Sequence, residues 1–309
     1  MKWQGVIPAI TTCFANGSRI DHAFMTNHCQ WLVENGCTGV VALGSLGEGG
    51  ALSFDEKIAV LNTCVKALKG RGSVVAAISS LTTAEAVSLA KQAHAVGCDG
   101  LMILPPYVYR GDWPEMKAHV SAVFEATSLP GMLYNNPIAY GTDFLPEQIR
   151  ELAAERANFQ AVKESSADVR RVSAIRALLD DRLAILVGVD DAILESIGAG
   201  AVGWIAGLAN ALPRESVDLF DYGVQGKSSQ AFELYRWFLP LLRLDTVPKF
   251  VQLIKLVQEE FGVGNADVRA PKLRLTGEEL QATRNLIHRA LRTRPQRAST
   301  ELRLRQAAK

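Results

Sequence analysis

No apolar stretch of the chain reaches the length of a membrane-spanning helix, because Asp, Arg and Lys interrupt each one. The opening residues Met1-Lys2-Trp3-Gln4-Gly5 also lack the apolar run of a secretory leader, so a soluble, cytoplasmic protein without a membrane partner is expected. Net charge is almost absent: 33 basic residues stand against 32 acidic ones, leaving +1. That balance gives no general field for holding nucleic acid or an anionic membrane. Cysteine is scarce and odd in number (Cys13, Cys29, Cys37, Cys64, Cys98), with no C-x-x-C pair, which favours reduced, buried thiols over disulfides or metal ligands. The histidines His22, His28, His94, His119 and His288 have no ligand spacing, so no metal is expected. A Gly-x-Gly-x-x-Gly turn after the first candidate strand is missing too, which argues against a doubly wound dinucleotide-binding sheet.

What is present is core-forming material in a regular order. Hydrophobic residues make up 48% of the 309, and short apolar or β-branched runs alternate with segments of helical period. The runs span 6–12, 39–43, 74–78, 101–104, 132–134, 159–163, 183–187 and 202–205. Because they are continuously apolar, they predict strands buried on both faces, as in a parallel sheet. Eight such units predict an α/β fold, a (β/α)8 TIM barrel. Helices are predicted between them at 54–68, 83–96, 113–126, 169–178 and 192–199, with Ser53, Thr82, Asp112 and Asp191 as caps. Three further helical stretches, 229–242, 248–261 and 278–291, have no strands between them. The expected organisation is a catalytic barrel over 1–225, a small C-terminal helical domain over 226–292 and a basic, solvated tail over 293–309.

In a barrel the chemistry sits where strands end, at their C-terminal face. The run Phe159-Gln160-Ala161-Val162 ends in Lys163, delivering an amine to the mouth of an apolar barrel. Desolvation disfavours the charged form, leaving a neutral amine able to attack a carbonyl carbon. A lysine reaching to solvent, or pairing with Glu164, would satisfy the same position. One unit earlier Met132-Leu133 ends in Tyr134, whose phenol can move protons beside the amine or serve as a hydrogen-bonded core residue. The second strand runs into Gly44-Ser45-Leu46-Gly47-Glu48-Gly49-Gly50, either a flexible loop or an anion nest suited to a carboxylate.

Together, Gly44-Ser45-Leu46-Gly47-Glu48, Tyr134-Asn135-Asn136-Pro137 and Val162-Lys163-Glu164-Ser165-Ser166 resemble the dihydrodipicolinate synthase and N-acetylneuraminate lyase family in order and spacing, over residues 5 to about 290. The resemblance implies a homotetramer that needs no cofactor and acts on a small 2-oxo acid or cyclic imino acid. It assigns Lys163 as the Schiff-base lysine and Tyr134 as the proton shuttle. It gives the substrate carboxylate to Ser45 with the N–H groups of Ser45 and Leu46, beside Gly44, and a backbone carbonyl near the site to Ile205. The run Gly188-Val189-Asp190-Asp191 is similar to the lyase branch, whose acidic residues here bind substrate hydroxyls; helix capping by Asp190 or Asp191 is the alternative.

Three departures bear on the reaction. Leu46 stands where synthases have a second threonine, Ala139 where they have an arginine that grips a second carboxylate, and Val108 where they have a tyrosine reaching the neighbouring subunit. Lysine biosynthesis is therefore not expected. The runs 134–141 and 203–207 look like members that deaminate Δ1-pyrroline-4-hydroxy-2-carboxylate. A 2-keto-3-deoxy sugar acid aldolase or dehydratase, and a non-catalytic acid-binding relative, remain as alternatives.

Overall fold

A computed structural model describes residues 1–15, 18–107 and 109–295. Val108 and most of the expected basic tail, 296–309, lie outside the described residues.

The chain begins with β1 (Gly5–Val6), a hairpin of β2 (Phe14–Ala15) and β3 (Arg19–Ile20), and α1 (His22–Glu34). Regular alternation follows: β4 (Gly39–Ala42), α2 (Phe54–Leu68), β5 (Ser73–Ile78), α3 (Thr83–Val96), β6 (Gly100–Ile103) and α4 (Trp113–Glu125). Next come β7 (Gly131–Asn135), a single helical turn α5 (Pro137–Tyr140), α6 (Pro146–Glu155), β8 (Phe159–Glu164), α7 (Arg170–Leu179) and β9 (Ala184–Val187). The alternation ends with α8 (Ile193–Gly198), β10 (Gly203–Trp204) and α9 (Pro213–Val224), and α10 (Ser228–Leu242), α11 (Phe250–Glu260) and α12 (Gly277–Arg292) complete the chain.

Eight strands pair in parallel in the order β1-β10-β9-β8-β7-β6-β5-β4. A parallel bridge between Ala9 and Val41 joins the two ends of that order and makes a barrel. The expected fold class is therefore observed. Two strands are shorter than their apolar runs by more than one residue. Pro8 has no N–H to give, so the first strand loses its regular ladder after Val6, although Ile7, Ala9 and Ile10 still bond to Trp204, Ala206 and Val41. The expected strand 202–205 narrows to β10, with Ile205 N–H still on the Val187 carbonyl at 2.8 Å. The hairpin was not expected, having only two residues on each arm.

Helix starts follow local chemistry. Ser53 and Asp112 form capping boxes with Glu56 and Glu115, and Thr82 accepts from the Glu85 N–H. Asp191 does not cap: it lies within a 3-10 turn, Asp190–Ala192, and Ala192 takes the cap position of α8. All five cysteines are buried free thiols.

The C-terminal helices are tied to the barrel by a buried ion pair. Glu48, in the left-handed region at φ 54°, turns its carboxylate inward from the loop after β4. Lys255 of α11 meets it at 2.6 Å and also donates to the Asp267 carbonyl, and the Arg269 N–H takes the other Glu48 oxygen at 3.0 Å. Lys255 also lies over the Phe14 ring, 4.5 Å from its centroid. Burial presses its amine below the usual lysine range, and the Glu48 carboxylate opposes that shift. Among the described residues no helix is long and apolar enough to cross a membrane.

Glu48→Ala would strand the Lys255 charge inside the protein, and breaking such a pair costs about 3–5 kcal/mol. The expected result is a urea unfolding midpoint well below that of the native chain; an unchanged midpoint would show that the pair is not a structural tie.

Candidate functional site at the barrel mouth

Lys163 lies on β8 opposite Tyr134 of β7, an exact register pair, and is only 6% exposed. Its Nζ stands 3.9 Å from the centre of the Tyr134 ring. Burial lowers the amine to about 8, against the opposing pull of Asp245 and then Asp190. At that value roughly one amine in ten is neutral at pH 7, compared with about one in three thousand for an ordinary lysine. Glu164 is not its partner: that carboxylate takes the Asn135 amide at 3.0 Å and the Ser166 N–H at 2.6 Å.

The phenol of Tyr134 accepts a hydrogen bond from the Asn136 side chain at 2.9 Å, and burial pushes it up to about 12. It therefore holds its proton at neutral pH and can act first as a donor. Ser165 Oγ, on the same side as the lysine, is buried without a hydrogen-bond partner among the described residues. Gly188, at the end of β9, makes room for both groups. A Cβ placed there would come within 2.0 Å of Ser165 Oγ and 2.3 Å of Lys163 Cε.

The loop 44–50 is firmly held. Thr12 Oγ1 donates to the Gly47 carbonyl at 2.6 Å, and Glu48 is anchored as described. Leu46 is buried, and Gly44 packs near Met102. The N–H groups of Ser45 and Leu46 donate to no backbone carbonyl among the described residues, so both are left for an incoming anion. Ser45 Oγ shares a hydrogen bond with the hydroxyl of Tyr140. The Tyr140 ring stands edge-on to Tyr134 at 5.7 Å and lies 6.2 Å from Tyr107. A second phenol of the same chain thus joins the 44–50 loop to Tyr134.

The two expected acidic residues separate. Asp190 is fully buried, and its oxygens accept from Trp204 Nε1 at 2.9 Å and from the Gly207 and Leu208 N–H groups at 3.1 and 2.8 Å. Burial raises its carboxyl to about 6 while these donors and Lys163 hold it down. Both oxygens accept from donors in the turn after β10. Asp191 pairs with Arg243 at 3.5 Å, and its backbone carbonyl accepts from the Tyr235 hydroxyl. Ile205 is buried beside this turn.

Three residues at the mouth had not been assigned from sequence. Tyr140 and Ser165 lie inside runs already of interest, but nothing in their spacing marks them. Asp245, in the 3-10 turn that follows α10, is far away in the chain and carries no motif at all. A cavity of about 550 Å³ beside the hairpin, lined by Ala15, Arg19, Ile20, Asp21, His22 and Glu56, contains none of these groups.

The model of the dihydrodipicolinate synthetase family matches residues 2–290. The 4-hydroxy-tetrahydrodipicolinate synthase of Methanocaldococcus jannaschii is 30% identical over 285 residues, 92% of this chain and 98% of that protein. The solved 4-hydroxy-tetrahydrodipicolinate synthase of Methylacidiphilum fumariolicum superposes with a TM-score of 0.88 at 30% identity, covering 94% of this chain and 97% of that one. A dihydrodipicolinate synthase from Acinetobacter baumannii, solved in complex with pyruvate, gives 0.89 at 27% identity, covering 94% and 99%.

Gly188→Ala is expected to push the Lys163 side chain aside and to reduce its labelling by an amine-selective reagent with little change in the circular dichroism spectrum. Unaltered labelling would contradict the close packing. In the native protein, the reaction rate of this lysine should rise with pH and level above about 8, because only the neutral amine attacks; a rate still climbing at pH 10 would rule out the lowered value.

Proposed function

The chain belongs to the dihydrodipicolinate synthetase family, and we propose that it forms a Schiff base between Lys163 and C2 of a small 2-oxo acid or cyclic imino acid, with Δ1-pyrroline-4-hydroxy-2-carboxylate as the favoured substrate and deamination as the reaction. The observation that carries this reading is the buried Lys163 amine, lowered to about 8, against the face of Tyr134.

The substrate carboxylate would lie on Ser45 and the free N–H groups of the 44–50 loop. Neutral Lys163 then attacks C2, and the Tyr134 phenol protonates the group that leaves that carbon, an amine from a cyclic imine or water from a ketone. Tyr140, hydrogen-bonded to Ser45 and edge-on to Tyr134, is suited to return the proton within one chain. The protonated imine draws electrons from C3, so a C3 proton becomes removable and a hydroxyl on the next carbon can depart. Across the whole reaction a hydroxylated cyclic imine takes up one water and releases ammonia and a semialdehyde.

Leu46 and Ala139 favour this outcome over condensation with an aldehyde that carries its own carboxylate. Leu46 adds no hydroxyl to the loop, and Ala139 sits on exposed α5 with no charge to offer. Ala139 lies where the synthases place the arginine for that second carboxylate.

The test is borohydride reduction in the presence of pyruvate, a 2-keto-3-deoxy sugar acid or the pyrroline carboxylate, followed by a turnover screen. Mass spectrometry should find the adduct on Lys163, and Lys163→Ala should abolish turnover. Ammonia without pyruvate is the expected product pattern. Pyruvate release would select the aldolase, and pyruvate consumption with an aldehyde would select the synthase. Absence of any adduct would overturn the Schiff-base reading.

Tyr140→Phe keeps the ring contacts and removes the hydroxyl from Ser45. If it returns protons, turnover should fall by roughly 10- to 100-fold, with borohydride labelling of Lys163 preserved. Wild-type turnover in this variant would remove Tyr140 from the relay.

A further inference from the structure

Asp245 comes from the C-terminal helices rather than the barrel. Its turn, Arg243–Asp245, packs on the turn Asp190–Ala192, and this brings its carboxyl against Gly207. A Cβ at Gly207 would fall 2.2 Å from Asp245 Oδ1 and 2.8 Å from Oδ2, so only a glycine admits the carboxyl there. The Gly207 N–H is held by Asp190, which fixes the backbone on which Asp245 rests. Asp245 and Lys163 are near enough for their charges to interact.

What sets Asp245 apart is that it has nothing to hold. It forms no ion pair and accepts no hydrogen bond among the described residues. Every other carboxylate at the mouth is engaged: Asp190 by three donors, Asp191 by Arg243, Glu164 by Asn135 and Ser166. A half-buried carboxyl with no protein donor is left open to solvent or to a bound molecule.

We propose that Asp245 is the acid and base at C3 of the lysine-bound substrate, an inference that rests on the Schiff-base reading above. Its acid form protonates the new imine, giving an iminium cation beside an Asp245 carboxylate. The carboxylate then takes the C3 proton; the C3–H electron pair forms C2=C3, and the iminium becomes a neutral enamine. Next the carboxyl returns that proton to the hydroxyl on C4. The C–O bond breaks with its electron pair on oxygen and water leaves; the C2=C3 pair shifts to form C3=C4 while the nitrogen lone pair restores the iminium. The lysine nitrogen gains and loses its charge in step with Asp245, so no outside acid or base is required.

The groups facing Asp245 support this alternation. In the free protein, burial and the neighbouring Asp190 and Asp191 raise its carboxyl well above the usual range, while Lys163 draws it down. Arg243 is on the same turn but turns toward Asp191. Part of Asp245 reaches solvent, yet enough protein surrounds the carboxyl for desolvation to be the largest influence on it. A permanent positive charge on the lysine nitrogen, as in the iminium, favours the carboxylate; the neutral enamine favours the acid.

The test compares the native chain with Asp245→Asn, using pyruvate as the probe. Borohydride trapping reads imine formation, and loss of the methyl proton signal in deuterated water reads removal of the C3 proton. The variant is expected to be trapped on Lys163 while C3 exchange falls on the order of 100-fold or more. Exchange at the native rate would overturn the proposal. Loss of trapping together with exchange would also overturn it, because Asp245 would then serve the lysine and not the carbon. If the native chain itself gave no adduct, the Schiff-base reading would fall, and this inference with it.

Discussion

Glu48 sits in a left-handed backbone conformation on the loop that carries Ser45, and it turns its charge away from solvent. A carboxylate in that place is tolerable because Lys255 crosses from α11 to meet it, the Arg269 amide donates to its other oxygen and Lys272 stands 3.8 Å from that oxygen. One interaction therefore fixes two things: the shape of the 44–50 loop and the seat of the C-terminal helices on the barrel. The turn that bears Asp245 lies between α10 and α11, so its approach to Lys163 follows from the same anchoring. Without that tie, neither the free N–H groups of Ser45 and Leu46 nor the appended carboxyl would be held over the mouth.

The mouth itself is a problem in desolvation. Parallel strands covered on both faces make an apolar tube, and Lys163 ends one of them. Among the described residues no direct ion pair neutralises that amine. Glu164, adjacent in sequence, is drawn off by Asn135 and Ser166, and Asp190 is saturated by the turn after β10. Their charges act on Lys163 only from a distance, enough to oppose burial but not to cancel it. The proposed reactivity of Lys163 at neutral pH rests on that incomplete compensation.

Much of this architecture could be seen in the residues alone. Continuous apolar runs gave the strands, and Ser53, Thr82 and Asp112 marked helix starts, because both signals are local. The opposition of Tyr134 and Lys163 was legible as well, since neighbouring strands of equal phase must place their ends together. Contacts made by closure were not. Pro8 interrupts a strand whose apolar pattern continues past it, and the hairpin is too short to have a period. Asp190 and Asp191 look alike in sequence, yet one faces Trp204 and the other Arg243, a difference set by partners on other elements. Tyr140 meets Ser45 only once the barrel is closed.

Asp245 was the least legible residue of all, for a physical reason. Helical period reports which face of an appendage is buried, but not what lies beyond the end of a helix. The turn after α10 has no apolar pattern, no cap motif and no glycine of its own; the accommodating glycine, Gly207, lies in the barrel. The amphipathic stretches locate α10, α11 and α12 but say nothing of the turn between the first two. A half-buried carboxyl placed there without a protein donor is better explained by the chemistry proposed at Lys163 than by stability.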